Sequence, residues 1–129
     1  MARQDDGAGA PLPRRMDTGR LDRLLQMAGP RDGAELLERL AEDLGRIAPA
    51  LAAACAAGDR AAIRAETHVL LAVAGSIGAA GLEEEARALN RAAHDQDTAL
   101  PGGLAQSVLD DLAALQALIA RRRANGGAA

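Results

Sequence analysis

The chain has 129 residues, which is the size of one domain. It contains no Phe, Tyr or Trp, and this excludes the aromatic surfaces on which single-stranded nucleic acid stacks. The formal net charge of -3 also argues against a nucleic-acid-binding protein. A single Cys supports neither a disulfide framework nor a thiolate metal cluster. Abundant Ala, Leu, Arg and Glu favour helices over strands.

Both ends of the chain read as segments outside the folded domain. Residues 1–15 are polar and rich in Gly and Pro, and they lack the apolar core of a signal peptide. We therefore expect a disordered tail over residues 1–15, a folded domain over 16–124 and a second disordered tail over 125–129. No apolar stretch is long enough to span a bilayer, so we expect a cytoplasmic protein that does not bind membranes.

Apolar residues recur at helical spacing in five segments, which are separated by short breaks. The predicted helices cover residues 18–28, 34–57, 60–77, 82–94 and 104–123. Gly29 and Pro30 end the first helix, while Gly58 and Asp59 end the second helix and cap the third. The other two breaks are also short and rich in Gly.

Four of the predicted helices are long enough to form a bundle. Short connections between them favour antiparallel neighbours, because the chain must reverse direction at once. The first helix is shorter and would cover one end of the core. The sequence therefore predicts an all-α fold, an antiparallel four-helix bundle with a short additional N-terminal helix.

The third predicted helix carries a histidine on its solvent side. At 100° per residue, Leu70, Val73 and Ile77 cluster on one side and His68 lies roughly opposite. A neutral imidazole is a nucleophile, and small neighbours let a large partner approach it. Spacing alone leaves open that His68 is an ordinary solvated surface histidine. The small residues predicted to surround it are Ala61, Ala65, Ala72, Gly75 and Ala79.

Residues 68–82 resemble the signature of the histidine-containing phosphotransfer (HPt) domain family. They read His-Val-Leu-Leu-Ala-Val-Ala-Gly-Ser-Ile-Gly-Ala-Ala-Gly-Leu. The family pattern has a phospho-accepting His, an apolar residue two positions later, a Gly about ten later and then a Leu. His68, Leu70, Gly78 and Leu82 occupy those positions. The similarity extends loosely over residues 17–123.

Two positions depart from the family pattern. The usual Lys three residues after the His is Leu71, and the usual Gly one residue further is Ala72. The Leu removes a cation expected near the phosphoryl group. Arg64, one turn before His68, could replace that cation, or it could be a solvated arginine. Leu71, expected to be exposed beside His68, would contact a partner.

The resemblance implies a phosphorelay intermediate of two-component signalling. His68 would accept a phosphoryl group from the aspartate of a receiver domain, or from a histidine kinase, and pass it to another receiver. Such a carrier binds no ATP and needs no cofactor or metal of its own, since Mg²⁺ resides on the receiver. We expect a monomer that docks its partners through one face of the helix. The predicted docking residues are Ala61, Ala65, Leu71, Ala72, Gly75 and Ala79.

Two alternatives remain from the sequence. A pseudo-HPt domain would bind receiver or kinase domains without carrying phosphate, and an unrelated helical adaptor would leave His68 incidental. The other candidate sites are weak. His94 stands near Asp95 and Asp97, where a metal site is less expected than a plain loop histidine, and Cys55 reads as a small core residue.

Overall fold

A computed structural model describes residues 11–128, with side chains described as far as Asn125. Within that part of the chain all regular structure is helical. The helices are α1 (Thr18–Ala57), α2 (Arg60–Ser76), α3 (Ala80–His94) and α4 (Leu104–Ala128). None of these helices is both long enough and apolar enough to cross a membrane. The predicted all-helical class is therefore confirmed.

Side-chain caps set the start of the first two helices. Asp17 accepts a hydrogen bond of 3.1 Å from the backbone N–H of Arg20, and Asp59 accepts one of 3.1 Å from that of Ala62. A carboxylate at this position satisfies a backbone donor that has no partner inside the helix. Gly58 closes α1 in the left-handed conformation. The predicted boundary between α1 and α2 is therefore confirmed.

The predicted short N-terminal helix is not confirmed as a separate element, although a break in helical geometry lies at its predicted end. Residues 18–28 form the first arm of α1, which continues to Ala57. Gly29 alone departs from helical geometry within α1, with φ 88° and ψ 171°, and it places a kink between the two arms. The glycine signal identified the position correctly. The glycine did not indicate that the helix resumes directly after it. Pro30 lies in the first turn of the second arm, where a backbone N–H would have no partner inside the helix, so its absence does not destabilise the helix.

The last helix is longer than its sequence pattern indicated. The apolar stripe ends before Arg123, yet α4 continues to Ala128. Residues 125–128, predicted as part of a disordered tail, are thus helical, and residue 129 lies outside the described residues. Arg122 and Arg123 hold this end to α1 through ion pairs with Asp22 at 3.0 Å and with Glu38.

Each helix packs against its neighbour in sequence, and α4 closes the arrangement by packing on α1. The connections after α1 and α2 are two and three residues long by their helix limits, which reverses the chain between neighbours. One continuous cluster of aliphatic side chains fills the centre. Its fully buried large members are Leu21, Leu44, Ile47, Leu51, Ile63, Leu70, Ile77, Leu82, Leu89, Leu112, Leu115 and Leu118. Burial of each such side chain stabilises the fold by about 1.5–3 kcal/mol.

Residues 11–17 form an N-terminal strap across one end of the bundle. The backbone N–H of Asp17 donates to the Gly78 carbonyl at 2.9 Å, and Met16 forms an isolated bridge with Ala79. Pro13 is buried, and Arg14 reaches α4. The boundary predicted at residue 15 therefore falls within a segment that contacts the bundle, while residues 1–10 of the predicted tail lie outside the described residues.

Two glycines leave room for the strap. Gly78 has φ 85°, a left-handed conformation that favours glycine, and a Cβ there would lie 2.8 Å from the Asp17 carbonyl oxygen. At Gly81 a Cβ would collide with the carbonyl oxygen of Arg14. Gly78 thus turns the chain after α2, and Gly81 admits the strap backbone to the first turn of α3.

Candidate functional site

His68 lies exposed on the surface of α2, as predicted. The opposite side of the helix is anchored in the core by four buried residues: Ile63, Thr67, Leu70 and Ala74. Since Thr67 and Leu70 on either side of it are fully buried, the backbone that carries His68 is held in place. The imidazole itself makes no hydrogen bond or ion pair that the structure records with a described residue.

Three of the small residues that were predicted to lie around His68 are exposed. Ala61, Ala65 and Ala72 are exposed along the same face. Gly75 is half-buried, because the Glu83 carboxylate of α3 covers it; a Cβ at this position would lie 2.9 Å from Glu83 Oε2. The flat part of the face thus runs over about three turns, and an acidic side chain marks its C-terminal end.

Ala79 does not belong to this face, so its prediction as a docking residue is wrong. It is fully buried and lies in the connection between α2 and α3, where it pairs with Met16. The prediction extended the helical period beyond Ser76, where α2 ends. Gly78 turns the chain before Ala79 is reached, and an angle counted along a helix loses its meaning there.

Leu71 also differs from its prediction. It was expected to be exposed beside His68, yet it is half-buried and packs against the core cluster. Val69 is the large apolar residue that stands in solvent next to His68, with 44% of its surface exposed. The sequence reading missed Val69, since it lies outside both the buried stripe and the small-residue stripe. Its direct adjacency to His68 was the available signal.

Arg64 lies one turn before His68 and has a definite partner. Its Nη1 donates to the Ala93 carbonyl of α3 at 3.1 Å. Cations are favourable at a helix C-terminus, where the last carbonyls lack partners inside the helix. Arg64 therefore stabilises the end of α3. Any contact with a group on His68 would have to come from its other guanidinium nitrogens or from a change of partner.

Arg60 occupies the same end of α3, one turn earlier along α2. Its guanidinium donates to three backbone carbonyls, those of Ala92 at 3.0 Å, Asp95 at 2.6 Å and Thr98 at 2.6 Å. Together with Arg64 it fixes the loop after α3 beside the helix that carries His68. Sequence reasoning gave Arg60 no role, because its partners are backbone atoms more than 30 residues away.

A polar contact lies on the core side of α2, next to His68. The buried hydroxyl of Thr67 donates to the Ile63 carbonyl at 2.7 Å and accepts from Asn90 Nδ2 of α3 at 3.0 Å. The same Asn90 amide donates to the Arg64 carbonyl at 3.1 Å. These bonds join α2 to α3 one residue away from the imidazole. A Thr in a stripe of otherwise apolar residues was the only sequence signal for this contact.

The other candidate residues, His94 and Cys55, form no second site with the described residues. His94 is the last residue of α3 and is exposed. Among the described residues no group of three His, Cys, Asp or Glu side chains could hold a metal ion. Cys55 is half-buried and packs against the core, and burial raises the pKa of its thiol.

Comparison with family models, with curated proteins and with solved structures finds no match to this chain. The HPt resemblance thus depends on the sequence motif around His68 alone.

Proposed function

We propose that this chain is a phosphorelay carrier of the HPt type that accepts a phosphoryl group on His68. The observation that carries the proposal is the exposure of His68 on a helix face where Ala65 and Ala72 leave the imidazole uncovered. A protein partner can therefore approach a ring nitrogen closely. The other described histidine, His94, stands at a helix end and has no such face around it.

The core side of α2 supports this assignment. Thr67 and Leu70 are fully buried, so the backbone on both sides of His68 is fixed against α3 and the core. Transfer between two proteins depends on holding the reacting atoms within a narrow range of distance and angle. A nucleophile on an anchored helix loses little freedom when a partner docks, and this favours a transient but accurate encounter.

The proposed reaction needs no metal or nucleotide on this chain. A receiver domain would bring its phosphoaspartate and Mg²⁺ to the His68 face. The free ring nitrogen of His68 attacks phosphorus in line, an N–P bond forms, and the acyl phosphate P–O bond breaks to regenerate the aspartate carboxylate. Mg²⁺ on the receiver neutralises charge that develops on the phosphoryl oxygens. The reverse reaction delivers the group to a second receiver.

Val69 and the small residues suit a transient interface. Interfaces of this kind bury about 1,200 Å² in total or less. An exposed Val beside the nucleophile offers apolar contact, and Ala61 and Ala65 offer a surface with no side chain to displace. We infer that the docking face consists of Ala61, Ala65, His68, Val69, Ala72 and Gly75.

The first experiment is phosphotransfer in Mg²⁺ from a panel of phosphorylated receiver domains. We expect acid-labile, base-stable label on the wild-type chain, loss of that label in His68→Gln, and wild-type labelling in His94→Gln. The His94 variant is a matched control, because it removes the other exposed imidazole. Circular dichroism should show the same helix content in all three proteins. Label retained in His68→Gln would contradict the proposal.

The second candidate, a pseudo-HPt domain, is favoured by one observation. Leu71 packs against the core at the position where the resemblance expects a Lys, so no cation from that position stands near His68. A pseudo-HPt domain would bind a receiver in the same panel and take up no label. Binding without labelling, equally strong for wild type and His68→Gln, would support this candidate over the carrier.

A further inference from the structure

A buried pair of carboxyl groups lies where α3, α4 and the N-terminal strap meet. The Asp111 side chain is 6% exposed and that of Glu85 is 20% exposed. One oxygen of each carboxyl group accepts a hydrogen bond from a neighbouring side chain. Asp111 Oδ1 accepts from Arg14 Nε at 3.1 Å, while Glu85 Oε2 accepts from the Ser107 hydroxyl and lies 3.5 Å from Arg14 Nη2. One guanidinium therefore faces two carboxyl groups.

The second oxygen of each carboxyl group is buried and has no hydrogen-bond partner. These atoms, Glu85 Oε1 and Asp111 Oδ2, are the buried side-chain atoms of the described residues that lack one. A buried acceptor without a partner destabilises a fold, because its hydrogen bonds to water are lost and not replaced. Two ionised carboxylates cannot satisfy each other, since each can only accept. A proton on either group would turn it into a donor.

We propose that Glu85 and Asp111 share one proton, held between Glu85 Oε1 and Asp111 Oδ2, and that this hydrogen bond joins α3 to α4 beneath the strap. The proton comes from solvent, one O–H bond forms, and no other covalent bond changes. The formal charge of Glu85, Asp111 and Arg14 together goes from -1 to zero. The inference is independent of the role of His68.

The charges around the pair come from the strap and from both helices. Arg14 and Arg15 face it from the strap, Glu84 lies beside it on α3, and Asp110 lies beside it on α4. Arg15 is paired with Glu84 on the outside. Burial and the contact with Asp111 raise the pKa of Glu85 above its ordinary value, while Ser107 and Arg14 oppose that change.

The sign of the pH effect follows from this direction. A group that holds its proton more tightly in the folded chain stabilises the fold fully at pH values below its unfolded pKa. That contribution is lost as pH rises through the folded pKa of Glu85. The contribution of Glu85 to the free energy of unfolding therefore declines as pH rises from about 4.5, the ordinary pKa of this carboxyl. Arg14 becomes more important over the same range, because it then faces two anions.

The test is a carbon-detected NMR titration of the carboxyl groups in the full chain. We expect Glu85 to titrate at a higher pH than Glu84, whose pKa Arg15 lowers by a hydrogen bond. A Glu85 titration at a pH no higher than that of Glu84 would overturn the proposal.

Variants provide a second measurement. In Glu85→Gln the amide donates to Asp111 Oδ2 without titrating, so the decline of unfolding free energy above pH 4.5 should disappear. Glu84→Gln, the same substitution on the adjacent exposed residue, should keep the decline. Arg14→Gln should move the Glu85 titration to higher pH, because it removes the nearest cation. An unchanged decline in Glu85→Gln would contradict the shared proton. If that variant does not fold, the titration of the wild-type chain still decides.

Discussion

Thr67 and Asn90 are joined by a hydrogen bond of 3.0 Å from the Asn90 side-chain amide to the Thr67 hydroxyl. Thr67 is fully buried on α2, and Asn90 is half-buried on α3. The bond therefore ties α3 to the residue that precedes His68. The rigidity of the His68 face depends in part on a polar contact inside the core.

Removing the hydroxyl of Thr67 should destabilise the fold. In Thr67→Val the shape is retained, but the Asn90 amide loses one of its two acceptors. We expect the free energy of unfolding to fall by about 1–2 kcal/mol in urea denaturation. Ser76→Ala is the matched control, because the Ser76 hydroxyl is exposed and donates to the Val73 carbonyl. Its effect should stay within about 0.5 kcal/mol. Equal effects of the two variants would show that the Thr67–Asn90 bond contributes little.

Two Gly→Ala substitutions should change the free energy of unfolding in opposite directions. Gly81→Ala places a Cβ against the Arg14 carbonyl oxygen, and we expect a loss of about 1–3 kcal/mol as the strap is displaced. Gly45→Ala lies within α1, with nothing within 4 Å of the added Cβ. It should stabilise the fold by about 0.5–1 kcal/mol, since Ala favours the helix. Denaturation curves of both variants test the pair. A stabilising Gly81→Ala would contradict the position of the strap.

Arg60 should hold the end of α3 and the loop that follows it. Arg60→Ala removes donors from the carbonyls of Ala92, Asp95 and Thr98. We expect faster amide hydrogen exchange in residues 92–103, measured by mass spectrometry, with little change in α1. Arg91→Ala is the control, because Arg91 is exposed on α3 and the structure records no partner for it among the described residues. Unchanged exchange in Arg60→Ala would show that the loop is held by other contacts.

The thiol of Cys55 should react slowly in the folded chain. Burial raises its pKa, so less of the reactive thiolate is present at pH 8 than in an exposed cysteine. We expect labelling by a thiol reagent to be several-fold faster in urea than in buffer. Equal rates in the two conditions would contradict the packing of Cys55 on the core.

Leu71→Lys tests the position at which the chain departs from the HPt pattern. If His68 carries phosphate, a cation one turn away should raise the initial rate of phosphotransfer, since it stabilises negative charge on the phosphoryl group. Some loss of stability should accompany the change, because Leu71 packs against the core. Leu71→Met, which conserves the volume, should leave the transfer rate unchanged. A slower Leu71→Lys chain of unaltered fold would argue that an apolar residue is needed there.

Local sequence signals predicted the helix limits well where the residues that form a boundary are close together in the sequence. Gly58 and Asp59 marked the start of α2 because a left-handed glycine and a capping carboxylate act on adjacent residues. The exposure of His68 followed from helical periodicity in the middle of α2. Both predictions depend only on residues within about two turns of each other.

Predictions failed where distant residues decide the structure. The strap has no periodicity of its own, and its position depends on a contact between Arg14 and Asp111, which are 97 residues apart. Ala79 was misplaced because the strap and Gly78 replace the expected last turn of α2. Leu71 is half-buried rather than exposed, since the packing of α2 against its neighbours decides which apolar side chain is covered.

The strap is a part of the domain that can detach from the bundle while the helices stay folded. Arg14, Arg15 and Asp17 hold it to the bundle by hydrogen bonds and ion pairs. The helices keep their shared core when residues 11–17 detach, so local opening needs less free energy than global unfolding. Arg14 and Arg15 lie within this segment and are sites at which trypsin cleaves. The rate of limited tryptic cleavage there measures how often the N-terminal end of the domain leaves the bundle.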